Sequence, residues 1–517
     1  MASLFLSRIL GILRDTVMTA KFGVGQDTDA YRLAFQIPDL LFFAVAGGAL
    51  SSAFIPVFSE YFHTNRKSEA WKVFSVVTTV MSLLLLVLIA GAWIFALPLA
   101  KLIAPGKPDE VLPLIAQMSR ILLPAQFAFF VGGLMFGTLY ARKVFAIPGL
   151  GPNVYNLGII AGAFFLSAFV TPGIVGMTWG ALVGAIIGNL VIPLFALIKL
   201  GAEFKPSLDI SHPGVKKVFK LMIPVVLGLS LPGVYGLIMQ IFGSYYAAGI
   251  NTALDLSNKV MQAPLGIFGQ ALALAVFPTL SQFFAENKMD AFRTQLEASL
   301  RTVLYLTVPV SAAMFVLAPE MVAVLFSWGK ASTTDLSALV SSLQMFSIGV
   351  FAWCLHPTLM RAFFALQQTV TPVVLGTFTT AIFLGLVFGL KETSLSYLAL
   401  PLASSISAIC LSIMFSVAIK NKIGGLNLGE LLTAFGKCAL ASALMGGLMF
   451  GISLGWKIPA GTAGNMMGIV KLAVLGCAGG WVYYAATRAM KMKETATIDR
   501  AMARITRRSA SSKADGS

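Results

Sequence analysis

The stretch Ser7-Arg8-Ile9-Leu10-Gly11-Ile12-Leu13-Arg14-Asp15 places three charged side chains inside the first of many apolar segments of membrane length. A charged residue at a bilayer centre costs roughly 2.5 to 3.5 kcal/mol on insertion scales, so it normally faces a water-filled cavity or a partner. On a helix, Arg8, Gly11 and Asp15 share one face, with Arg14 about 100° from Asp15. This pattern predicts a cationic stripe. The stretch alone leaves an amphipathic targeting peptide, or charges that snorkel to the interface, as alternatives.

The composition predicts a membrane protein. Hydrophobic residues make up 57% of the 517 residues and charged residues 11%, whereas soluble domains carry about 25% charged residues. The apolar runs reach about 20 residues or more, enough for helices to cross a hydrocarbon core about 30 Å thick. We therefore predict an all-α polytopic membrane protein with about 14 transmembrane helices. The predicted segments are 4–23, 31–60, 73–103, 112–140, 148–170, 175–199, 219–247, 252–284, 299–327, 336–364, 370–390, 394–419, 429–455 and 465–487.

The distribution of Lys and Arg predicts the orientation, because basic residues in short loops favour the cytoplasmic side. With the N-terminus inside, the cytoplasmic loops and tail hold most of the basic residues, and the opposite loops offer little beyond Lys101, Lys107, Lys330, Lys391 and Lys457. Both termini are therefore predicted to be cytoplasmic. The net charge of +16 follows mostly from this bias and from attraction to anionic membrane lipids, so no nucleic-acid partner is inferred.

The cysteines and histidines show no metal-binding pattern. All four cysteines lie inside apolar segments without CxxC spacing, which predicts core packing. The histidines are scattered, so we predict no metal site. These residues are Cys354, Cys410, Cys438, Cys477, His63, His212 and His356.

Two similar stretches indicate an internal repeat. Ala53-Phe-Ile-Pro56-Val-Phe-Ser59-Glu-Tyr-Phe62 ends the second segment, and Ala275-Val-Phe-Pro278-Thr-Leu-Ser281-Gln-Phe-Phe284 ends the eighth. Both segments run the same way, so the repeat is parallel, as in transporters that hold substrate between two rocking bundles. Chance spacing of Pro in membrane helices is the alternative. The predicted parts are an N-terminal lobe of six helices (1–200), a C-terminal lobe of six (201–423), an extra helix pair (424–490) and a basic cytoplasmic tail (491–517).

Polar stripes recur in the second and eighth segments. One contains Asp29, Arg32, Gln36 and Asp39, and the other contains Asp255, Asn258, Lys259 and Gln262. Asp255 precedes Lys259 by four residues, the favourable order for an ion pair. Full pairing would leave a neutral cavity, whereas at least one free guanidinium, which we favour, would suit bidentate phosphate binding. Interhelical ion pairing without a ligand is the alternative.

Glycine and proline predict bends in the first two segments. Such residues permit hinges where protein or water satisfies the freed backbone groups. Gly11 is expected to interrupt the first segment, Gly23 and Gly25 to end it, and Pro38 with Gly47 and Gly48 to break the second.

At these residues the chain resembles the MurJ (MviN) family of lipid II flippases, within the superfamily of multidrug, oligosaccharidyl-lipid and polysaccharide exporters. The resemblance covers nearly the whole chain, is most specific in segments one, two and ten, and fades in the last two. The stretches that carry it are Ser7-Arg8-Ile9-Leu10-Gly11 through Asp15, Phe22-Gly23 through Ala30, Ile37-Pro38-Asp39-Leu40-Leu41, Gly48 through Phe58, Ile147-Pro148 with Pro152 and Asn156, Phe326-Ser327-Trp328-Gly329-Lys330, and Arg361 through Val373.

The resemblance implies an activity and a site. It implies a transporter rather than an enzyme, a central cationic cavity, a lipid-facing groove at the last two helices, and a bacterial inner-membrane location. The implied substrate is lipid II, the undecaprenyl-diphosphate-linked precursor of peptidoglycan, in cell-wall biogenesis and cell shape. We also expect a monomer, with the cell-wall synthesis machinery as a candidate partner. Arg8, Arg14, Asp15 and Asp29 match family residues important for transport, and the candidate substrate-binding residues are Ser7, Arg8, Arg14, Asp15, Asp29, Arg32, Gln36, Lys259 and Gln262.

The chain departs from the family pattern in the second segment. Phe42, Phe43 and Gly47 stand where many members carry two Arg and a Glu, and Gln36 replaces a common basic residue. Lys259 keeps the charge of the usual Arg but loses its planar fork. No cofactor is predicted. The energy source is expected to be either the membrane potential, worth about 2.3 kcal/mol per charge per 100 mV, or an ion gradient.

Two other functions were weighed. An exporter of another lipid-linked oligosaccharide or of cationic drugs would keep the architecture, and acids such as Asp29 and Asp39 would then dominate recognition of a cationic drug. An integral-membrane transferase would need converging carboxylates or His with a metal, and the predicted cytoplasmic loops show no paired-Asp motif. The lipid II flippase is the leading prediction.

Overall fold

The computed structural model describes residues 2–44, 47–331, 336–456 and 462–496, and the regular elements in this part of the chain are all helices. The first eleven are α1 (Ala2–Phe22), α2 (Gln26–Ala34), α3 (Gln36–Ala44), α4 (Gly47–His63), α5 (Lys67–Ile94), α6 (Ala96–Ile103), α7 (Leu112–Ala141), α8 (Ala146–Ala161), α9 (Val175–Ala185), α10 (Ile192–Lys199) and α11 (Pro213–Gly243). The other α-helices are α12 (Ile250–Pro264), α13 (Gln270–Ala285), α14 (Met289–Val316), α15 (Ala318–Phe326), α16 (Ser337–Ser347), α17 (Val350–Ala365), α18 (Val370–Leu390), α19 (Ala399–Ile423), α20 (Leu428–Gly455) and α21 (Thr462–Ala489). Short π-helical segments occupy Gly162–Leu166, Ile186–Val191 and Leu265–Gly269, and a 3₁₀ turn occupies Ser396–Leu398.

The all-helical membrane fold is confirmed. The described residues contain 10 helices long and apolar enough to cross a membrane, or up to 11 when the bent pair α16 and α17 is one span. Each of the predicted segments coincides with a helix or with consecutive shorter helices. The first segment, α1, falls outside this set because Arg8, Arg14, Asp15 and Lys21 make it polar. The chain is therefore a multi-pass membrane protein.

The first two segments differ in part from the sequence prediction. Gly11 does not interrupt α1, which is continuous from Ala2 to Phe22, because a single Gly costs a helix only about 1 kcal/mol. The predicted end is confirmed at Gly23, whose φ is +76°. Segment two is divided into α2, α3 and α4. Its first break lies at Phe35, and Pro38 sits in the first turn of α3, where a missing N–H is tolerated; residues 45–46 lie outside the described part.

The chain forms two compact units. One contains Met1–Asp255 and Leu325–Leu336, and the other contains Leu256–Val324 and Ser337–Ser517. In the first unit, Phe54, Phe58, Trp71 and Phe74 form a buried aromatic cluster. In the second unit, α20 packs on both α14 and α21. The division falls inside α12, and the four predicted parts of the chain remain a prediction.

Three left-handed backbone turns recur at a nearly constant spacing along the chain. Asn65 and Asn287 have φ values of 59° and 55°, and Lys143 and Gln367 have values of 61° and 58°. Gly201 and Gly424 form a third pair at 72° and 71°. The members of these pairs are separated by 222, 224 and 223 residues. The first pair follows the two stretches that carry the sequence repeat, so the two stretches share the local structure that ends their helices.

A glycine seam joins α8 to α9 in the first unit. Gly158 on α8 and Gly162, in the π-helical segment that continues it (Gly162–Leu166), face Gly176, Gly180 and Gly184 on α9. A Cβ built on Gly180 would meet the carbonyl oxygen of Gly158, and would lie 2.8 Å from the Cα of Gly162. Small residues at four-residue spacing let membrane helices approach until their backbones touch. The seam therefore holds α8 in place, and α8 in turn packs against α1.

Gly180→Ala is expected to destabilise the protein by about 1 to 3 kcal/mol, because the added methyl must push one backbone away from another. The measurement is the midpoint of thermal unfolding of the purified protein in detergent. Gly91→Ala in α5 is the control, since nothing lies within 4 Å of the Cβ that it adds. If Gly180→Ala and the control had the same unfolding midpoint, close contact of α8 and α9 at these glycines would not contribute to stability.

Candidate functional site

Arg14 and Asp15 of α1, Arg32 of α2 and Asp255 of α12 form one chain of alternating ion pairs. Oδ1 of Asp15 lies 3.0 Å from Nη2 of Arg14 and 3.0 Å from Nη2 of Arg32. Nη1 of Arg32 lies 3.1 Å from Oδ2 of Asp255, in the second turn of α12. Asp15 and Arg32 are buried. Removing either residue would leave an opposite charge in a poorly solvated place, so this chain of pairs fixes α1 against α2.

Arg14 is the more accessible of the two paired arginines. Its side chain is 17% exposed, compared with 7% for that of Arg32. Nη1 of Arg14 also donates to Oδ1 of Asn156 on α8, at 3.2 Å. The Asn156 amide donates to the carbonyl of Ser7 at 3.4 Å, so the same residue holds both the guanidinium and the backbone of α1. Arg14 is thus oriented by two neighbours while part of its fork stays accessible.

The ion pairs leave a positive excess on α1. Arg14, Arg32, Asp15 and Asp255 balance one another, whereas Arg8 is exposed and has no ion pair with any of the described residues. An arginine fork offers parallel donors that match a phosphate oxygen pair. The sequence prediction of at least one free guanidinium therefore fits Arg8. The arrangement suits an anionic group better than a cation.

Asp29 lies in a separate, fully buried site. Its side chain is 0% exposed, and Oδ2 lies 2.7 Å from Nζ of Lys107. Oδ2 also accepts from the backbone N–H of Gly249 at 2.8 Å. Oδ1 accepts from the N–H and the hydroxyl of Thr252, both at 2.8 Å. The carboxylate thus caps the N-terminus of α12, where unpaired N–H groups and the helix dipole favour an anion.

The other predicted site residues are not gathered at one point by the contacts described. Ser7 is half-buried on α1 and contributes its backbone carbonyl, and Gln36 is half-buried at the start of α3. Lys259 and Gln262 belong to the second unit, where Lys259 is half-buried and Gln262 is exposed on α12. Their role as substrate ligands stays a prediction.

Sequence reasoning missed the partners that hold these charges. Lys107 was predicted only as a loop lysine, yet its side chain is 4% exposed. Thr252 and Gly249 carry no signal in the sequence, because a helix N-terminus becomes a ligand only when a carboxylate is brought to it. Asn156 lies in a stretch that resembles the family, and the polar amide inside an apolar segment is the one signal for it in the sequence.

A clasp, formed by the last two residues of α15 and the four that follow it (325–330), closes on the end of α1. The Thr16 hydroxyl donates to the carbonyl of Leu325 at 2.8 Å, and the N–H of Lys330 donates to the carbonyl of Ala20 at 2.7 Å. The second bond satisfies a carbonyl in the last turn of the helix. Gly329 makes this approach possible, because its φ is +61° and a Cβ there would meet the Ala20 carbonyl oxygen. The clasp explains why a glycine occupies position 329 in the stretch Phe326 to Lys330.

Gly329→Ala is expected to open the clasp, since an L residue in the left-handed region costs about 1 to 2 kcal/mol before the clash with Ala20 is counted. The expected result is a lower melting temperature of the purified protein in detergent. Gly11→Ala on α1 is the stability control, because its Cβ would meet nothing within 4 Å. Equal melting of the two variants would show that the clasp does not hold α1.

Comparison with known proteins gives a consistent result. The family profile described as Lipid II flippase MurJ matches residues 18–463. The chain is 29% identical over 383 residues to the Lipid II flippase MurJ of Burkholderia cenocepacia, covering 71% of this chain and 72% of that protein. A solved structure of Lipid II flippase MurJ in an inward closed conformation is similar with a TM-score of 0.77 and 23% identity, covering 95% of this chain and 98% of the other. An inward-facing multidrug resistance MATE family transporter of the MOP superfamily is similar with a TM-score of 0.65 and 16% identity, covering 81% and 94%.

Proposed function

Because the chain belongs to the MurJ family of lipid II flippases, we propose that it moves lipid II, an undecaprenyl-diphosphate-linked peptidoglycan precursor, from the inner to the outer leaflet of the bacterial cytoplasmic membrane. It acts as a transporter, and no bond of the substrate needs to change. The observation that carries the proposal is the cationic excess on α1, where Arg8 is unpaired among the described residues and Arg14 is partly accessible. A diphosphate is the part of lipid II that such guanidinium groups recognise.

The proposed binding step uses the two arginines differently. Arg14 is pre-oriented by Asp15 and Asn156, so little side-chain entropy is lost when its remaining donors meet a phosphate oxygen. Arg8 is exposed and supplies the charge that Asp15 and Asp255 do not neutralise. Lys259 and Gln262, with Ser7 and Gln36, are proposed as further contacts to the headgroup. The polyprenyl tail stays in lipid throughout.

The proposed movement is alternating access. Asp29, Lys107 and Thr252 join α2, the loop after α6 and the start of α12 by a buried ion pair and a helix cap. The clasp adds hydrogen bonds to the end of α1 nearest to Asp29 in sequence. Both sets of bonds are specific and local, so they can be broken together and re-formed in a cycle. We propose that their release opens the outer side after the headgroup has bound.

Several further features belong to this proposal. Both termini face the cytoplasm, the protein works as a monomer, and two six-helix lobes move relative to each other beside the α20–α21 pair. No cofactor is required, and the membrane potential or an ion gradient drives the cycle, acting on the charged α1. The cell-wall synthesis machinery that supplies and consumes lipid II is the proposed partner.

Export of cationic drugs is not favoured. Asp29, one of the two acids predicted to recognise such a drug, is enclosed by Lys107 and the α12 N-terminus, and Asp15 is buried between Arg14 and Arg32. Asp39, the other predicted acid, is exposed on α3, so the carboxylates alone do not decide against a cation. The choice rests on the family match, which names lipid II flippases. Another lipid-linked oligosaccharide would carry the same diphosphate. Only an experiment that measures the transport of each lipid can distinguish it from lipid II as the cargo.

The test replaces the flippase of a depletable bacterial host by this chain and measures how much lipid II becomes accessible at the outer face of the membrane. We expect accessibility to be restored by the native chain and not by Arg14→Ala at equal membrane abundance. No restoration by a well-expressed native chain would reject lipid II as the cargo. A rise in the outer exposure of a different lipid-linked oligosaccharide in the same cells would then identify the alternative.

A further inference from the structure

The α10–α11 loop, residues 200–212, follows α5 instead of leaving the bundle. The N–H of Lys205 donates to the hydroxyl of Ser75 at 3.0 Å, and the N–H of Ser207 donates to the hydroxyl of Thr79 at 3.4 Å. Thr79 is one turn further along α5 than Ser75. The loop therefore runs along α5 away from the N-terminus of that helix.

Two side-chain pairs bring the loop back. Asp209 pairs with Lys72 at 2.9 Å, and Nε2 of His212 lies 2.6 Å from Oε2 of Glu69. The Ser211 hydroxyl and the Lys72 ammonium lower the pKa of the Asp209 carboxyl to about 2, so this pair is charged at any physiological pH. The loop is consequently a fixed hairpin whose tip, at residues 206–208, is its deepest part along α5.

The length of α5 places the tip at the edge of the hydrocarbon. The helix has 28 residues and so is about 42 Å long, about 12 Å longer than a hydrocarbon core about 30 Å thick. Its charged residues are Lys67, Glu69 and Lys72, all near its N-terminus. The part of the helix that extends beyond the hydrocarbon is therefore its N-terminal part. Thr79 is then about 18 Å from the start of the helix, a few ångströms past the boundary.

The loop exposes apolar side chains at this depth. Phe204, Leu208 and Ile210 are 50%, 63% and 58% exposed, although neighbouring Phe74 offers an aromatic surface to the ring of Phe204. Irregular backbone is not tolerated in the hydrocarbon when it faces lipid. An interfacial segment instead keeps its backbone among headgroups and sends apolar side chains about 5 to 10 Å into the acyl boundary.

Exposed basic residues lie in the loop and on the helices that flank it. Lys199, Lys205, Lys216 and Lys220 are all exposed. Glu203 is the exposed acid of the loop, whereas Asp209 is neutralised by Lys72. Each basic residue near an anionic membrane surface contributes about 1 kcal/mol of attraction. The charge of this surface is complementary to phospholipid headgroups.

We propose that the α10–α11 loop is an interfacial anchor that binds anionic phospholipid in the leaflet it faces, the cytoplasmic one in the predicted orientation. Leu208 and Ile210 enter the acyl boundary, and Lys199, Lys205 and Lys216 contact the headgroup phosphates. The anchor fixes the depth of the first unit in the membrane. It rests only on the membrane fold and is independent of the transported cargo.

The test uses a spin label at Leu208→Cys in a full-length chain whose native cysteines are replaced by Ser, reconstituted in phosphatidylcholine vesicles with or without phosphatidylglycerol. The matched control is Ser211→Cys, three residues later in the same loop and also exposed. Collisions with oxygen report acyl chains, and collisions with a nickel chelate report water. We expect the label at 208 to favour oxygen by several-fold and the label at 211 to favour nickel.

The lipid dependence tests the headgroup contact. Phosphatidylglycerol should move the label at 208 deeper, and Lys199→Gln with Lys205→Gln should remove that response while leaving the label on the oxygen side. A label at 208 as open to nickel as the label at 211 in both lipids would overturn the anchor. A deep label that ignores phosphatidylglycerol would overturn the binding of anionic lipid.

Discussion

Asp29→Ala is expected to lower the free energy of unfolding by about 3 to 5 kcal/mol and to abolish transport, because it leaves the Lys107 ammonium buried without its counter-ion. The native carboxylate is 0% exposed and accepts from four donors, two of them backbone N–H groups at the start of α12. Removing the carboxylate therefore leaves the Lys107 ammonium without its counter-ion and also removes the cap of α12. Thermal unfolding in detergent and complementation of a flippase-depleted host measure the two effects.

Two further variants separate the charge from the cap. Asp29→Asn keeps an oxygen for Thr252 but loses the negative charge, so it should fall between Asp29→Ala and the native protein. Adding Lys107→Met to Asp29→Asn removes the orphaned ammonium and should recover part of the lost stability, as replacement of a whole buried pair often does. Asp27→Ala is the matched control, since Asp27 is exposed in the same turn. A stable, active Asp29→Ala protein would show that the Asp29–Lys107 pair neither stabilises the fold nor takes part in the transport cycle.

Arg14→Ala is expected to abolish lipid II translocation while changing stability by only about 0 to 1 kcal/mol, the range of partly exposed ion pairs. Arg14 is 17% exposed, and its carboxylate partner Asp15 keeps a second guanidinium, that of Arg32, at 3.0 Å. The loss of Arg14 therefore leaves Asp15 paired. The substitution removes only the oriented, partly exposed guanidinium of Arg14, which is the group proposed to bind a phosphate.

The contrast with neighbouring positions makes this prediction specific. Arg14→Lys keeps the charge without the fork and should retain only part of the activity. Arg32→Ala should instead destabilise the protein, because Arg32 is buried between Asp15 and Asp255. Lipid II accessibility at the outer face and membrane abundance are measured for all three variants. An active Arg14→Ala protein would reject Arg14 as a headgroup ligand, and an unfolded one would make Arg14 a structural residue.

The sequence alone determined the class of fold and the position of its helices. Membrane-length apolar runs require backbone groups to be satisfied within each segment, so hydropathy located every helix group from α1 to α21. The charges on α1 were also visible, as was the turn at Gly23, because left-handed backbone is a local property of glycine. The recurrence of Pro56 at Pro278 likewise pointed to a repeat whose turns recur in the backbone.

Only the tertiary structure decided which charges are open and which are closed. Asp29 and Asp39 lie in one polar stripe, yet Asp39 is exposed, whereas Asp29 is enclosed by Lys107, 78 residues away, and by Thr252, 223 residues away. Gly329 is needed only because α1 passes close to it. An apolar run is read within one segment, whereas an ion pair depends on two distant segments meeting, and a sequence pattern carries no information on that distance.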